Sequence, residues 1–347
     1  MMQPLPIAFL MTLAACGHTA PSSAGPGDLE GPFQSTEPLR LTYSPGADRT
    51  PLWSIVPDRV MYAYDREPVP GGVSGCVADL PVGGGSRGLE LCDTDVDYAQ
   101  TIMRPFWPAR RPDGATAMIR QRWAPMGTAP FFSDLAITPP GEGQASRTAI
   151  PIPYFSAGSG RSHQGISHLQ WLDHDRLVFV GLGVIRSLND NVESGYEILI
   201  LVPADSLAGL SLVPGTNYAS SVAVGGNSDT LYYTLGGDSM VYRRTLSTGV
   251  VDIVADFGPL GIARDVQVRA GRLVAVVGGN VVFGPHVYLG MAQYDFGGLV
   301  YLIDLPNGTP TLLTDPLIDR YRHLALAPNG SRVVGVRNGD LWAIAVP

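Results

Sequence analysis

Six spaced copies of one strand–turn–strand unit and a chain rich in both turn formers and apolar residues predict an all-β fold. Glycine (42) and proline (30) together exceed a fifth of the 347 residues, yet apolar residues hold at 45 %. That combination suits many short strands joined by tight turns better than disorder. The copies recur roughly 45–65 residues apart, the period of a four-stranded blade, so the expected architecture is a six-bladed β-propeller of antiparallel blades. A spare strand ahead of the first copy closes the ring and removes the exposed edges of an open sheet.

The chain opens on an apolar run, Leu5 to Ala15, long enough for the core of an export signal and too short to span a bilayer. The run ends in Leu13-Ala14-Ala15-Cys16. This resembles a bacterial lipobox, which implies that residues 1–15 are a lipoprotein signal peptide and that Cys16 is the lipidated N-terminus. No Lys or Arg precedes the run, a departure from that pattern. Residues 16–36, small, polar and rich in Gly and Pro, read as a flexible tether. The remaining segment, 37–347, is long enough for one large β domain.

Composition removes several function classes. The net charge of −8 argues against general binding to nucleic acid or to an anionic bilayer. Lysine is absent, so all 23 basic residues are arginine. A Walker phosphate loop, a Schiff-base lysine and a Ser–Lys pair are thereby excluded, since each needs an amine.

The repeat is clearest in its last copy. Arg322 to Ala327 is an apolar strand, Pro328-Asn329-Gly330 a turn, Arg332 to Val336 a second strand, and Gly339-Asp340 the turn into Leu341-Trp342-Ala343-Ile344. Earlier copies turn at Pro57-Asp58, Pro112-Asp113-Gly114 and Asp173-His174-Asp175, and two weaker ones at Asn227-Ser228-Asp229 and Ala270-Gly271. Leu39-Arg40-Leu41-Thr42 is the spare strand, and the chain stops after the third strand of the last copy, which the spare strand completes. In the first copy Cys76 and Cys92 lie symmetrically about Gly84, so a hairpin centred there sets them opposite each other. Export favours a disulfide between them, contributing roughly 3 kcal/mol if unstrained. The repeat resembles the TolB-type, WD-like β-propeller unit: an apolar strand, Ser-Pro-Asp-Gly, a second apolar strand, then Leu-Trp. Residues 326–342 match it well and the other copies are degenerate, and the resemblance speaks for fold more than for activity.

The loops between second and third strands are unequal. Those through residues 65–75, 121–132, 182–194 and 279–297 are long, which makes their face the expected recognition surface. Four innermost strands begin with an arginine at or near one repeat position: Arg49, Arg104, Arg264 and Arg322, with Ser167 and Ser220 in the other two. Such guanidiniums either grip a carboxylate or phosphate at the channel mouth or pair with carboxylates between blades, for which Asp97, Asp265 and Asp319 are available. His168 and His323 occupy equivalent positions beside that mouth, with His163 nearby in sequence. They are either ligand-binding residues or hydrogen-bonded strand residues.

Asp93, Asp95 and Asp97 alternate like the start of a calcium loop. The pattern then lapses, because Tyr98 stands where glycine is needed and Arg104 where the bidentate Glu belongs. Asn189, Asp190, Asn191 and Glu193 are further oxygen donors. The alternative is a solvated acidic turn, and calcium is the one cofactor the sequence suggests. Gly160-Arg161-Ser162-His163-Gln164 fails as a nucleophile elbow at its last glycine.

Two functions follow. The first is a lipid-anchored envelope propeller, a non-enzymatic platform that binds an envelope protein or a small anionic ligand through its loop-rich face. Its only membrane contact is the lipid, and Gly17 after the cysteine points to the outer membrane, as the lipoprotein resemblance implies. The second is a metal-dependent hydrolase or lyase of the lactonase kind, with Asp93, Asp95, Asp97, His168 and His323 at the channel mouth. The leader yields a direct test. Cys16→Ser abolishes incorporation of radiolabelled palmitate and moves the protein from the membrane to the soluble fraction; unchanged labelling would refute lipidation at Cys16.

Overall fold

The structure is a computed structural model that describes residues 38–43, 47–54, 58–65, 75–83, 85–88, 90–92, 102–123, 130–141, 148–151, 166–182, 196–278, 297–306, 308–317 and 320–347. The predicted leader and tether lie outside these residues. Twenty-four strands form six antiparallel sheets of four. Blade 1 is β2 (Asp48–Trp53), β3 (Arg59–Asp65), β4 (Gly75–Pro81) and β5 (Glu90–Cys92). Blade 2 is β6 (Ile102–Arg110), β7 (Thr116–Trp123), β8 (Pro130–Thr138) and β9 (Thr148–Pro151). Blade 3 comprises β10 (Ser167–Trp171), β11 (Leu177–Leu182), β12 (Tyr196–Leu201) and β13 (Leu210–Leu212). In blade 4 run β14 (Ala219–Val224), β15 (Thr230–Leu235), β16 (Met240–Thr245) and β17 (Val251–Asp256). Blade 5 holds β18 (Ala263–Arg269), β19 (Arg272–Val277), β20 (Leu299–Asp304) and β21 (Thr311–Leu312). Blade 6 takes β22 (Arg322–Leu326), β23 (Arg332–Arg337) and β24 (Asp340–Ala345), with β1 (Leu39–Arg40) as its outer strand. The first strand of each blade contacts the first strand of both neighbours, which closes the ring.

Strand alternation divides the core into interfaces. Side chains at i and i+2 face one neighbouring blade and those at i+1 the other. Val60, Tyr62 and Tyr64 of β3 therefore pack with Val334, Val336 and Ala343 of blade 6, whereas Met61 and Ala63 pack with Met118 and Ala136 of blade 2. The other four blade pairs have their own buried clusters, such as Phe179 and Leu199 against Ile119 and Leu135. Each large apolar side chain so buried contributes about 1.5–3 kcal/mol. Polar side chains stitch the inner strands as well. Gln170 donates to the Val222 carbonyl and accepts from the Val224 amide, and Trp171 Nε1 donates to the Ala109 carbonyl.

The spare strand closes the ring as its sequence predicts. Leu39 pairs with Ala343 and Arg40 with Trp342. The Leu41 amide donates to the Leu341 carbonyl at 2.8 Å, the Leu341 amide to Thr42 Oγ1 at 2.8 Å, and Arg40 meets Asp340 at 2.7 Å. Cys76 stands directly opposite Cys92 in the β4–β5 ladder and is disulfide-bonded to it, with Cα atoms 4.1 Å apart.

One buried acid marks this seam. Asp48 has no exposed surface, and its amide donates to the Gly339 carbonyl at 2.7 Å. Its counterparts in the other inner strands are Pro105, Ile166, Ala219, Ala263 and Tyr321, all without charge. Burial pushes the Asp48 carboxyl up to about 7 against the Thr42 hydroxyl and Arg87, with Asp340 adding to the push and Arg49 opposing it. The native state thus holds this proton more tightly than the unfolded chain, so the group costs nothing at pH 4 and destabilises progressively up to about pH 7. Urea unfolding across pH 4–8 checks this. Asp48→Asn flattens the decline, and its advantage over wild type grows with pH to about 4 kcal/mol.

Candidate site at the ring centre

Every innermost strand carries a one-residue bulge, at the same place in five blades and one residue earlier in blade 4. The ladder registers shift between Arg49 and Leu52, Phe106 and Ala109, Ser167 and Gln170, Ala219 and Ser221, Arg264 and Gln267, and Arg322 and Ala325. Counting back from the turn that ends each strand aligns Thr50, Trp107, His168, Ser221, Asp265 and His323 in one column. Five of these six take a left-handed backbone: Thr50 (φ 45°), Trp107 (50°), His168 (55°), Asp265 (49°) and His323 (53°). Left-handed backbone costs a non-glycine residue about 1–3 kcal/mol, and such positions concentrate where function or tight packing over-determines them.

Those residues converge on one another. The Trp107 ring lies 4.1 Å from the His168 ring and 5.1 Å, edge-on, from the His323 ring. His168 Nε2 is 2.7 Å from Asp265 Oδ1, and the His323 amide donates to Asp265 Oδ2 at 3.0 Å. Contacts between blades 2 and 6 and between blades 3 and 5 skip a neighbour, so they are possible only across the middle of the ring. At the periphery of the cluster the Trp107 amide donates to Thr50 Oγ1 at 2.9 Å, the Val266 amide to Ser221 Oγ at 3.3 Å, and Ser167 Oγ sits 2.9 Å from His168 Nδ1.

The electrostatics centre on one carboxylate. Burial alone drives Asp265 upward, but the His168 hydrogen bond, the His323 and His168 charges and the His323 amide hold it well below the usual carboxylate range. An ionised carboxylate only accepts, so the proton between the two groups resides on His168 Nε2. In the neutral imidazole the lone pair is then on Nδ1, the nitrogen that faces the Ser167 hydroxyl. His168 is 4 % exposed and Asp265 5 %, and such a screened pair is oriented for proton transfer.

The arginines that the sequence singled out stand one residue before this column. Arg49 lays its guanidinium 4.8 Å from the Phe106 ring centre. Arg264 Nη2 donates to the carbonyls of Gly278 (2.9 Å) and Gly297 (2.8 Å), clamping the two ends of the segment between them. Arg322 is half-buried at the start of β22. Arg104 is not at their level: the β6 ladder sets it opposite Gln121, and Phe106, two residues on, holds the ring position, because β6 begins earlier than the other inner strands. Asp265 is engaged by His168 and the His323 amide. Asp97, Asp319, His163, the Asp93–Asp95–Asp97 calcium candidate, residues 189–193 and the sequence around Ser162 lie outside the described residues, as do Cys16 and most of the long loops. Among the described residues no group of three or more His, Cys, Asp or Glu side chains is arranged to hold a metal ion.

The sequence set His168 and His323 at one repeat position, and the structure brings both to the central cluster together with Trp107 and Asp265, which the sequence reading did not place there. The signal was the column itself, the residue after each Arg, Phe or Ser that opens an inner strand. Asp265 generates a pH test. Its lowered native value means that it contributes stability above the ordinary carboxylate range, which is lost as pH falls through that native value. Asp265→Asn therefore lowers stability at pH 7 by about 3–5 kcal/mol, the cost of breaking a buried pair, and unfolds with a shallower dependence on pH below 4. Calorimetry from pH 2 to 7 reads both.

No protein-family model matches this sequence, and no curated protein does. Solved structures match over most of the chain. A gluconolactonase from Xanthomonas campestris aligns with a TM-score of 0.52 and 14 % identity, covering 89 % of each chain. A TolB-like protein from Agrobacterium tumefaciens gives 0.52 and 12 %, covering 89 % of this chain and 97 % of its own. The Cps50 (Swd1) propeller domain of Myceliophteria thermophila gives 0.52 and 8 %, covering 90 % and 100 %. At these identities the likeness is one of fold, and the chain is a six-bladed β-propeller.

Proposed function

We propose that this propeller is a hydrolase of small carboxylic esters or lactones, with His168 and Asp265 as its proton-transfer pair at the ring centre. The observation that carries this reading is the buried His168–Asp265 contact of 2.7 Å, built from two left-handed residues on non-adjacent blades. Ester cleavage needs a group that takes a proton from the attacking oxygen and returns it to the leaving oxygen. His168 does both through Nδ1, while Asp265 stabilises the imidazolium formed in between. Trp107, tilted against the imidazole at 4.1 Å, restricts the orientation of the ring. The likeness to a gluconolactonase supports the choice of substrate class by fold alone. Lipidation at Cys16 and the 16–36 tether would hold the domain at the cell envelope.

A second reading, a non-enzymatic platform for an envelope protein or small anion, is favoured by the half-buried Arg322 beside the column. One experiment separates the two. Purified protein is assayed by pH-stat against a panel of γ- and δ-lactones and short-chain esters, alongside His168→Gln and Asp265→Asn. Turnover that falls about 10²–10⁴-fold in His168→Gln supports the hydrolase. Absence of turnover, or equal rates in the variant, overturns it, and calorimetric binding of a carboxylate or phosphate without turnover would favour the platform.

A further inference from the structure

Among the described residues, Ser167 is distinguished from the other hydroxyls beside the ring centre by what it touches. Its Oγ lies 2.9 Å from His168 Nδ1, and the opposite nitrogen of that ring lies 2.7 Å from Asp265 Oδ1. A hydroxyl, an imidazole and a buried carboxylate thus stand in one hydrogen-bonded line, the arrangement by which a nucleophile, its base and the group orienting that base are recognised irrespective of chain order. The neighbouring serines differ. Ser220 and Ser221 both sit 2.7 Å from Thr234 Oγ1, with no imidazole within the contact. Thr50 Oγ1 accepts from the Trp107 amide. Ser167 is also the more open end of the line, half-buried where His168 and Asp265 are buried.

We propose that Ser167 is the nucleophile of this site and that the reaction passes through a Ser167 acyl-enzyme. This rests on the hydrolase reading and adds the covalent step, which nothing in the leader, the repeat or the fold assigns. Ser167 Oγ bonds to the substrate carbonyl carbon while its proton moves to His168 Nδ1. The bond from that carbon to the alkoxy or lactone ring oxygen then breaks, and the same proton passes from Nδ1 to the departing oxygen. Water attacks the acyl-enzyme, gives its proton to Nδ1 and releases the carboxylic acid, and the proton returns to Ser167 Oγ. No oxidant, reductant or further reactant is needed. Gly165-Ile166-Ser167-His168-Leu169 departs from a Gly-x-Ser-x-Gly elbow only at its last position, where Leu169 stands.

The test uses the full chain and a small alkyl fluorophosphonate, which phosphonylates an activated serine with loss of fluoride. Intact-mass spectrometry and peptide mapping are expected to find one adduct, on Ser167. The adduct is absent in Ser167→Ala, forms at least 100-fold more slowly in His168→Gln, and forms at the wild-type rate in Ser220→Ala. Because the wild-type protein is itself labelled, the result does not depend on any variant folding. Ser167→Cys provides a second check, being alkylated by iodoacetamide at that position faster than a free thiol in the unfolded chain. Hydrolysis of the ester panel with no Ser167 adduct, or hydrolysis retained in Ser167→Ala, overturns the nucleophile while leaving the His168–Asp265 reading intact. A Ser167 adduct in protein that hydrolyses none of the panel sustains Ser167 as the nucleophile and overturns the ester and lactone hydrolase reading.

Discussion

The extra residue in each innermost strand is the constraint on which the rest of this structure depends. A regular strand alternates its side chains between two neighbouring blades and has none to spare for the axis. The bulge breaks that alternation once per blade, and in five of the six blades it turns a left-handed residue inward while the strand on either side continues its packing. Five strained residues would be a liability of several kcal/mol if each stood alone. Here they satisfy one another: Asp265 takes the His168 imidazole and the His323 amide, Thr50 takes the Trp107 amide, and Trp107 packs against both histidines. The strain and the network have the same cause.

The geometry couples chemistry to architecture. His168, Asp265 and His323 come from blades 3, 5 and 6, and Trp107 from blade 2, so their distances are set by the closure of the whole ring. Closure in turn rests on two short residues of β1 on β24 and on the hydrogen bonds of Leu41 and Thr42 that extend them. Asp48, at the same seam, is an acid where five sister blades place an uncharged residue. The remaining interfaces are apolar and interdigitated, with inner-strand clamps such as Gln170 adding hydrogen bonds that only a correctly registered neighbour satisfies.

Much of this was legible in the sequence because turns and alternation are local. Pro-Asn-Gly and its degenerate versions end strands wherever they occur, and period-2 apolar runs between them make each blade. Counting such units gave six, and the leftover Leu39–Thr42 segment had one open edge to fill. The hairpin symmetry of Cys76 and Cys92 was equally local, and the ladder sets them opposite each other. The site was half legible. His168 and His323 share a repeat position, which the sequence displays, but their neighbours in space do not share chemistry. A column reading Thr, Trp, His, Ser, Asp, His has no motif, because a ring centre is asymmetric even when its scaffold repeats.

By itself, then, the sequence determined the class of the fold, the number of blades, the closing strand and the cysteine pair, since each follows from the order of short segments along the chain. Only the tertiary structure decided which side chains meet. A one-residue bulge leaves no compositional mark, so nothing in the chain announces that Phe106, beneath the Arg49 guanidinium, holds the ring position expected of Arg104, with Trp107 following it in the column. Nor does the spacing of residues 168, 265 and 323 reveal a shared carboxylate. The His168–Asp265 contact joins blades 3 and 5, which are not neighbours, and it exists only because the ring closes at a radius that brings their inner strands within reach.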